Sequence, residues 1–268
     1  MVLLDGVFTM LTLQKWATLE DATFSTETLE ALFRNEIPAI RISQFATVEE
    51  CHKLAEAADF VGFDFYENVE PPIGRIGITQ FEFGNSRKFG YFDAVHQADS
   101  RKQRIVSLSF DPLERLAMLL RLHTAGKVGI AQENDHLGQY FAGLIRHINV
   151  ALLHIDFAGF DAPDWKIGRC VAQLAWNLYL RVPESGGKCI VYNRQWCTND
   201  EEYKVPDSYS YDMSVVQTSE AKYITPVLGD LVLFNSRNFH QVLPGHGERI
   251  TMSSFIGKMP EGDLVFWS

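Results

Sequence analysis

The sequence predicts an α+β protein with a mainly β core, arranged as a barrel or double-sheet jelly roll. From about residue 148, short β-type runs alternate with Gly- and Pro-rich turns such as residues 183–187 and 244–247. Strands at this spacing are typical of antiparallel barrels and jelly rolls. The first half of the chain instead mixes helical patterns with short strands, so helices are expected to flank the core on the N-terminal side.

Four elements are predicted in the N-terminal half. Residues 37–42 resemble a strand. Thr47 and Glu50 have the spacing of a capping box, which predicts a helix starting after Thr47. Residues 111–122 predict a second helix with a proline in its first turn, and residues 136–147 a third.

The C-terminal half carries the β pattern. Strands are expected within residues 149–156, 172–182, 188–192, 230–234 and 249–258. The polar, Tyr-rich stretch 197–218 has no clear period and is interpreted as a loop insertion near the mouth of the barrel. Because no repeat or long linker interrupts the chain, we expect one domain over residues 1–268. Residues 1–147 would support the fold and supply a substrate segment, and residues 148–268 would form a metal-binding core.

Composition excludes some classes of partner. The chain has 268 residues, 46% hydrophobic and 22% charged, with a net charge of −10. This acidity argues against nucleic acid or an anionic membrane as partner, but it permits a small anionic ligand. No apolar run reaches the ~18–20 residues of a membrane span. Four cysteines without a CxxC pair, and an N-terminus (residues 1–5) without a basic region, favour a cytoplasmic protein. The oligomeric state stays open.

The triplet His154-Ile155-Asp156 is the strongest candidate for a metal site. On a strand, residues i and i+2 point to the same face, so the imidazole of His154 and the carboxylate of Asp156 would converge. His240, which follows the β-type run at 230–234, would add a second imidazole. Two histidines and one carboxylate form the facial triad of non-haem Fe(II) oxygenases, which leaves coordination positions open for reactants. A lone histidine is usually structural, so this hypothesis depends on the combination.

Arg249 and Thr251 suggest a second ligand. They place a guanidinium and a hydroxyl on one face of the last long β-run, where they could hold a carboxylate. A 2-oxoacid with a second carboxylate would chelate the metal at one end and reach this pair at the other. The pattern therefore points to 2-oxoglutarate, although an arginine in such a strand is more often a surface residue.

On these residues the chain resembles the Fe(II)/2-oxoglutarate-dependent oxygenases. Within that family it looks most like the small-molecule tailoring branch, the carrier-independent alkaloid halogenases and related hydroxylases of secondary metabolism. The resemblance covers residues 154–268 well and the N-terminal half loosely. It implies a double-stranded β-helix, the jelly roll of cupin-like proteins, with flanking N-terminal helices. Further matching motifs are QLAW at 173–176, VPESGG at 182–187, VYN at 191–193, GDLVLFN at 229–235 and the final Trp267-Ser268.

The resemblance implies a role for each matching position. His154, Asp156 and His240 would bind Fe(II), while Arg249 with Thr251 would bind the distal carboxylate of the cosubstrate 2-oxoglutarate, with O2 as the second cosubstrate. Three polar residues on the intervening strand would add contacts to the cosubstrate: Gln173, Asn177 and Tyr179.

Asp156 decides the expected reaction. Halogenases of this type have a small residue at the matching position, which leaves room for halide, whereas a carboxylate fills it here. The resemblance therefore implies a dioxygenase that hydroxylates an unactivated C–H of an amino-acid derivative or secondary metabolite and releases succinate and CO2. Desaturation, epoxidation or cyclisation at the same centre remain alternatives. A non-catalytic cupin-like ligand-binding protein is a further one.

The expected substrate segment is residues 70–84, where a turn precedes a β-like run. Arg75 or Thr79 would orient a polar group of the substrate such as a carboxylate; the competing interpretation is an edge strand with a solvated arginine. Phe157, directly after the metal triplet, would flank the pocket or pack in the core.

Overall fold

The computed structural model describes residues 15–67, 69–134 and 136–268. Residues 1–5, whose lack of a basic region contributes to the expectation of a cytoplasmic protein, lie outside the described residues. Within the described ranges, no helix has the length and apolar character of a membrane span. The four cysteines are free thiols.

Sixteen strands are found along the described chain. The first eight are β1 (Ala22–Thr23), β2 (Ile40–Ile42), β3 (Asp64–Phe65), β4 (Gly74–Ile76), β5 (Val128–Ile130), β6 (Leu144–His147), β7 (Ala151–His154) and β8 (Ala172–Arg181). The others are β9 (Ser185–Gly186), β10 (Cys189–Gln195), β11 (Ala221–Ile224), β12 (Leu231–Asn235), β13 (Asn238–Val242), β14 (Gly245–His246), β15 (Ile250–Lys258) and β16 (Leu264–Trp267).

Five α-helices accompany them. They are α1 (Thr26–Phe33), α2 (Val48–Val61), α3 (Lys88–Val106), α4 (Pro112–Arg121) and the single turn α5 (Ala158–Asp161). Short 3₁₀ helices cover Gln80–Glu82, Asn85–Arg87, Lys166–Arg169, Thr198–Tyr203 and Met213–Val216.

Two sheets form the double-stranded β-helix. The major sheet has ten strands in the order β1-β2-β12-β8-β15-β6-β4-β3, with β16 paired to β15 and to β5. The minor sheet has the order β11-β10-β13-β7. Because β2 pairs with β12 and β6 pairs with β15, the major sheet crosses the expected division at residue 147.

Alternation along the major strands separates two hydrophobic cores. On β8, Leu174, Trp176 and Leu178 are buried among the helices, in a cluster that includes residues of α1, α2 and α4. The intervening Ala175 and Tyr179 belong to a second cluster shared with the minor sheet. The period of two in side-chain direction thus turns one face of the strand to the helices and the other to the space between the sheets.

The two predicted helices with clear start signals are confirmed. Thr47 caps α2, its hydroxyl accepting from the Glu50 N–H while the Glu50 carboxylate accepts from the Thr47 N–H. Asp111 caps α4, with Pro112 in the first turn. A polar side chain at these positions satisfies backbone N–H groups that the first helical turn leaves unpaired.

The helix expected over residues 136–147 is wrong. Its last four residues form β6, and Gly138 and Gly143 have φ angles of +83° and +91°. This left-handed conformation interrupts a helix and suits glycine. The 19-residue helix α3 was not predicted from the sequence, because its apolar residues are interspersed with many charged ones.

Candidate active site

Two histidines face each other in the minor sheet. His154 ends β7, His240 lies within β13, and the two are register partners with ring centroids 4.2 Å apart. The Nδ1 of His154 bonds to the Leu152 carbonyl at 2.7 Å, and that of His240 to the Asn238 carbonyl at 2.8 Å. Because a carbonyl only accepts, each Nδ1 carries the proton and each Nε2 is free to bind a metal.

Asp156 completes the set from beyond the strand. The expectation that it shares a strand with His154 is corrected, because β7 ends at His154. Its Oδ2 nevertheless lies 3.3 Å from Nε2 of His240 and 3.9 Å from Nε2 of His154. Backbone bonds hold it there: the Asp156 N–H donates to the Ser236 carbonyl, and the Ser236 hydroxyl donates to the Asp156 carbonyl, both at 3.0 Å.

Gln173, which was expected to contact the cosubstrate, instead holds the backbone around Asp156. Its Nε2 donates to the Asp156 carbonyl at 3.1 Å, and its Oε1 accepts from the Ala158 N–H at 2.8 Å. The side chain is buried and is not among the residues that line the cavity at the triad. The structure therefore assigns Gln173 to the backbone around Asp156 rather than to the cosubstrate.

The protonation states of the triad suit a metal ion. Burial, reinforced by the neighbouring His240, lowers the pKa of His154 to about 4. Burial would raise the pKa of Asp156, but the close His240, His154 and Arg146 side chains outweigh it and lower this pKa to about 2. At neutral pH, His154 is neutral and Asp156 ionised, the states that metal binding requires.

The residues present fit Fe(II). The ligand atoms of His154, Asp156 and His240 all lie within 4.8 Å of one another, and theirs is the one group of this kind found in the described part of the chain. Two imidazoles and one carboxylate are the donor set of non-haem Fe(II) oxygenases.

A narrow cavity between the sheets contains an unpaired cation. Arg249 is 3% exposed, and neither its Nε nor the Thr251 hydroxyl has a hydrogen-bond partner among the described residues. Both line a cavity of about 50 Å³ that also contains the triad. Buried polar groups are normally paired, so these two atoms fit the carboxylate of a 2-oxoacid.

Asn177 and Tyr179, the other two expected cosubstrate residues, differ in whether they reach the cavity. Asn177 lines the cavity with Arg249 and Thr251. Tyr179 is buried beneath Arg249, with the guanidinium carbon 5.2 Å from its ring centroid, and is not among the lining residues. Tyr179 therefore supports the guanidinium by a cation–π contact.

A second cavity, of about 170 Å³, adjoins the triad on its other side. Arg146 lines both cavities. The 197–218 insertion contributes Lys204 and Tyr209. The complete lining is Tyr66, Val69, Ile73, Phe81, Arg146, Ile148, His154, Ile155, Asp156, Asp161, Lys204 and Tyr209.

Arg75 and Thr79, the expected substrate residues, lie away from this lining. Arg75 forms an ion pair with Glu82 and donates to the Gly77 carbonyl at 3.0 Å. Thr79 is fully buried, and its N–H and hydroxyl donate to the same Glu82 carboxylate at 2.9 and 2.8 Å. These contacts correct the expectation, because both side chains stabilise the turn around Glu82.

Phe157 also stands outside both cavities. Its ring packs against the core between the sheets and against the Arg237 guanidinium, whose carbon lies 4.9 Å from the ring centroid. The structure thus favours the packing interpretation. Sequence reasoning missed Arg146, because it lies in the segment wrongly expected to be helical, and Lys204, because the insertion has no periodic pattern.

Comparisons with known proteins agree with this site. The family model described as carrier-protein-independent halogenase WelO5 matches residues 13–268. The leucinostatins biosynthesis cluster protein S of Purpureocillium lilacinum is 42% identical over 222 residues, which cover 76% of this chain and 90% of that protein. The L-gamma-glutamyl-L-propargylglycine hydroxylase of Streptantibioticus cattleyicolor is 27% identical over 266 residues, covering 93% and 95%.

The fold is found in solved structures as well. An N-substituted L-amino acid dioxygenase from Burkholderia ambifaria AMMD, in complex with alpha-KG, superposes with a TM-score of 0.64 at 15% identity and covers 91% of each chain. The chain therefore belongs to the carrier-protein-independent halogenase WelO5 family, a small-molecule tailoring branch of the Fe(II)- and 2-oxoglutarate-dependent oxygenases, which use Fe(II), 2-oxoglutarate and O2.

Proposed function

We propose that this oxygenase hydroxylates a C–H bond of a small amino-acid derivative and does not halogenate it. The observation that carries the proposal is the Asp156 carboxylate, whose Oδ2 lies 3.3 Å from Nε2 of His240. A carboxylate at this point fills the position that a small residue leaves to halide in related halogenases. With the halide position filled, oxygen transfer is the outcome that the site favours.

Two relatives support an amino-acid substrate. One is named a hydroxylase of L-gamma-glutamyl-L-propargylglycine, and a 23% identical protein of Pantoea ananatis is named L-isoleucine 3(1)-dioxygenase. The 42% identical relative is named for a biosynthesis cluster, which is compatible with secondary metabolism.

The chain's own residues have separable tasks in this reaction. His154, Asp156 and His240 would hold Fe(II), and Arg249 with Thr251 would bind the distal carboxylate of 2-oxoglutarate. Fe(II) held by these three residues would supply the activation of O2 that is coupled to conversion of 2-oxoglutarate to succinate and CO2. Burial of His240, Arg249 and Thr251 keeps water away from these groups, which strengthens their electrostatic interactions.

The test is product mass in the presence of chloride. Amino acids and N-acyl amino acids are screened for succinate release, and the molecular mass of the product is measured for each active substrate. We expect a gain of one oxygen from the wild-type protein and no chlorinated product. Loss of two hydrogens would instead indicate desaturation or cyclisation, and a chlorinated wild-type product would contradict the proposal.

Asp156→Ala and Asp156→Gly extend the test. Both variants should lose hydroxylation, because the third protein ligand is gone, and the glycine variant opens a position for halide. Asp164→Ala, at an exposed aspartate on the same connection, is the matched control and should retain turnover. Full turnover by Asp156→Ala would show that the carboxylate is not part of the metal site.

A further inference from the structure

We propose that Arg146 binds a carboxylate of the substrate, and that it restricts this enzyme to small molecules with a free carboxylate next to an apolar chain. The inference rests on the oxygenase function proposed above and adds the class of substrate. It assigns substrate binding to a residue other than the expected Arg75.

Arg146 is the middle member of a row across the major sheet. Arg75 on β4, Arg146 on β6 and Thr251 on β15 are successive register partners. Directly opposed residues of paired strands project to the same face of a sheet. Since Thr251 lines the cavity at the triad, Arg146 points to the same side, and it lines both cavities.

The two arginines of this row differ in their charge partners. Arg75 is neutralised by Glu82. For Arg146, no carboxylate among the described residues lies within ion-pair distance, and its buried Nε has no hydrogen-bond partner. Its neighbours are the neutral hydroxyl of Tyr66 and, beyond ion-pair distance, the carboxylates of Asp156 and of Glu82, which is already paired with Arg75. Because Asp156 serves the metal set, the guanidinium of Arg146 is available to an anionic ligand.

The cosubstrate does not need this arginine. A molecule of 2-oxoglutarate has two carboxylates, of which the distal one would be bound by Arg249 and Thr251 and the proximal one would be held at the metal site. Both of those sites lie in the narrow cavity of about 50 Å³. Arg146 therefore remains for a carboxylate in the wider cavity of about 170 Å³.

The wider cavity is suited to an anion with an apolar body. Lys204 adds a second cation to its lining, and burial raises the pKa of Asp161, its only lining acid other than Asp156 among the described residues, to about 7. Ile73, Phe81 and Ile148 supply apolar surface. Pockets for drug-sized ligands have volumes of roughly 300–1,000 Å³. A cavity smaller than this suits a molecule about the size of an amino acid.

The experiment compares acids with their amides. The probes are L-leucine, L-isoleucine and their N-acetyl forms, each paired with its primary amide, which has the same shape without the charge. Binding to the anaerobic Fe(II)- and 2-oxoglutarate-loaded full chain is followed through the visible charge-transfer band and by thermal shift. We expect at least one acid to bind about 30-fold more tightly than its amide, the size of one charge-assisted hydrogen-bonded contact.

Arg146→Gln removes the charge and should abolish this preference, while the dissociation constant of 2-oxoglutarate stays within about 3-fold of the wild-type value. Arg75→Gln, the neighbour in the row, is the matched control and should retain the preference. If Arg146→Gln does not fold, Arg146→Lys keeps the charge without the planar fork and should weaken acid binding by about 10-fold.

Three results would overturn the proposal. They are no acid–amide difference in any pair, a preference that is undiminished in the Arg146 variants, and a loss of 2-oxoglutarate affinity as large as that of acid affinity. The last would place Arg146 in the cosubstrate site. Absence of any 2-oxoglutarate-dependent band in the wild-type protein would instead refute the oxygenase function itself, so the two failures are distinguishable.

Discussion

Arg249 provides the sharpest test of the cosubstrate site, because its replacement should have opposite effects on stability and on binding. Arg249→Met keeps the length of the side chain and removes the charge. The wild-type guanidinium is 3% exposed, its Nε is unpaired, and its carbon lies 5.2 Å from the centroid of the Tyr179 ring. Without a ligand, this is a buried cation with no carboxylate at ion-pair distance among the described residues, in contact with the ring and hydroxyl of Tyr179.

The magnitudes follow from these contacts. Burial of an unpaired ion costs several kcal/mol, which a cation–π contact offsets by about 2 kcal/mol. The ligand-free Arg249→Met protein should therefore be more stable than wild type by about 1–3 kcal/mol. Loss of the carboxylate's partner should weaken 2-oxoglutarate by roughly 2–5 kcal/mol, or about 30-fold to 4,000-fold in dissociation constant.

Two measurements test the expected rise in ligand-free stability and the expected loss of 2-oxoglutarate affinity. Urea unfolding in EDTA gives the ligand-free stability, and anaerobic titration of the Fe(II) protein with 2-oxoglutarate gives the dissociation constant from the visible band. Arg181→Met is the control, because that arginine is paired with Asp59 and Glu248 near the surface. A destabilised ligand-free variant with unchanged 2-oxoglutarate affinity would refute the assignment of Arg249.

Three further predictions concern the triad and its surroundings. Gln173→Leu should lower stability by about 2–4 kcal/mol in urea unfolding, since it leaves the Ala158 N–H unpaired and removes one of the two hydrogen bonds to the Asp156 carbonyl; it should also weaken Fe(II) binding, and an unchanged metal affinity would separate Gln173 from the site. Asp156→Ala should weaken Fe(II) binding measured by competition with a chelator, whereas equal affinity would remove Asp156 from the ligands. Burial raises the Asp161 pKa to about 7, so the stability of the metal-free wild type relative to Asp161→Asn should fall as pH rises from about 4 to 7, by up to about 4 kcal/mol; parallel pH profiles would contradict this.

Local signals predicted part of the fold correctly. The capping box at Thr47 and the Asp111-Pro112 pair each mark a helix start, because the interactions involved are confined to a few neighbouring residues. The prediction of a helix over residues 136–147 failed because the conformation there depends on residues distant in sequence. Their apolar residues resemble a helical stripe, but pairing of β6 with β15 and β4 decides the conformation. Such pairing depends on residues distant in sequence, which local propensity does not report.

The candidate site, like the fold, was predicted from the sequence only in part. Sequence reasoning brought together His154, Asp156 and His240 by chemistry and order, and the structure places their ligand atoms within 4.8 Å. It assigned Arg75 to the substrate, although Glu82 neutralises that arginine in the fold. Which of several charged residues has a partner is a tertiary property, and an unpaired buried charge is visible only when all its neighbours are known.

By itself, the sequence determined the β-rich class and the absence of a small residue at position 156, and it predicted the three candidate metal ligands and the Arg249–Thr251 pair. These follow from residue types, their order and alternation along strands, all of which the chain carries locally. The tertiary structure alone decided that Asp156 reaches the site from beyond its strand, that Gln173 holds the backbone there, and that Arg146 rather than Arg75 faces the wider cavity. The physical reason is that strand register and charge pairing are set between segments far apart in the chain, where β4, β6 and β15 meet.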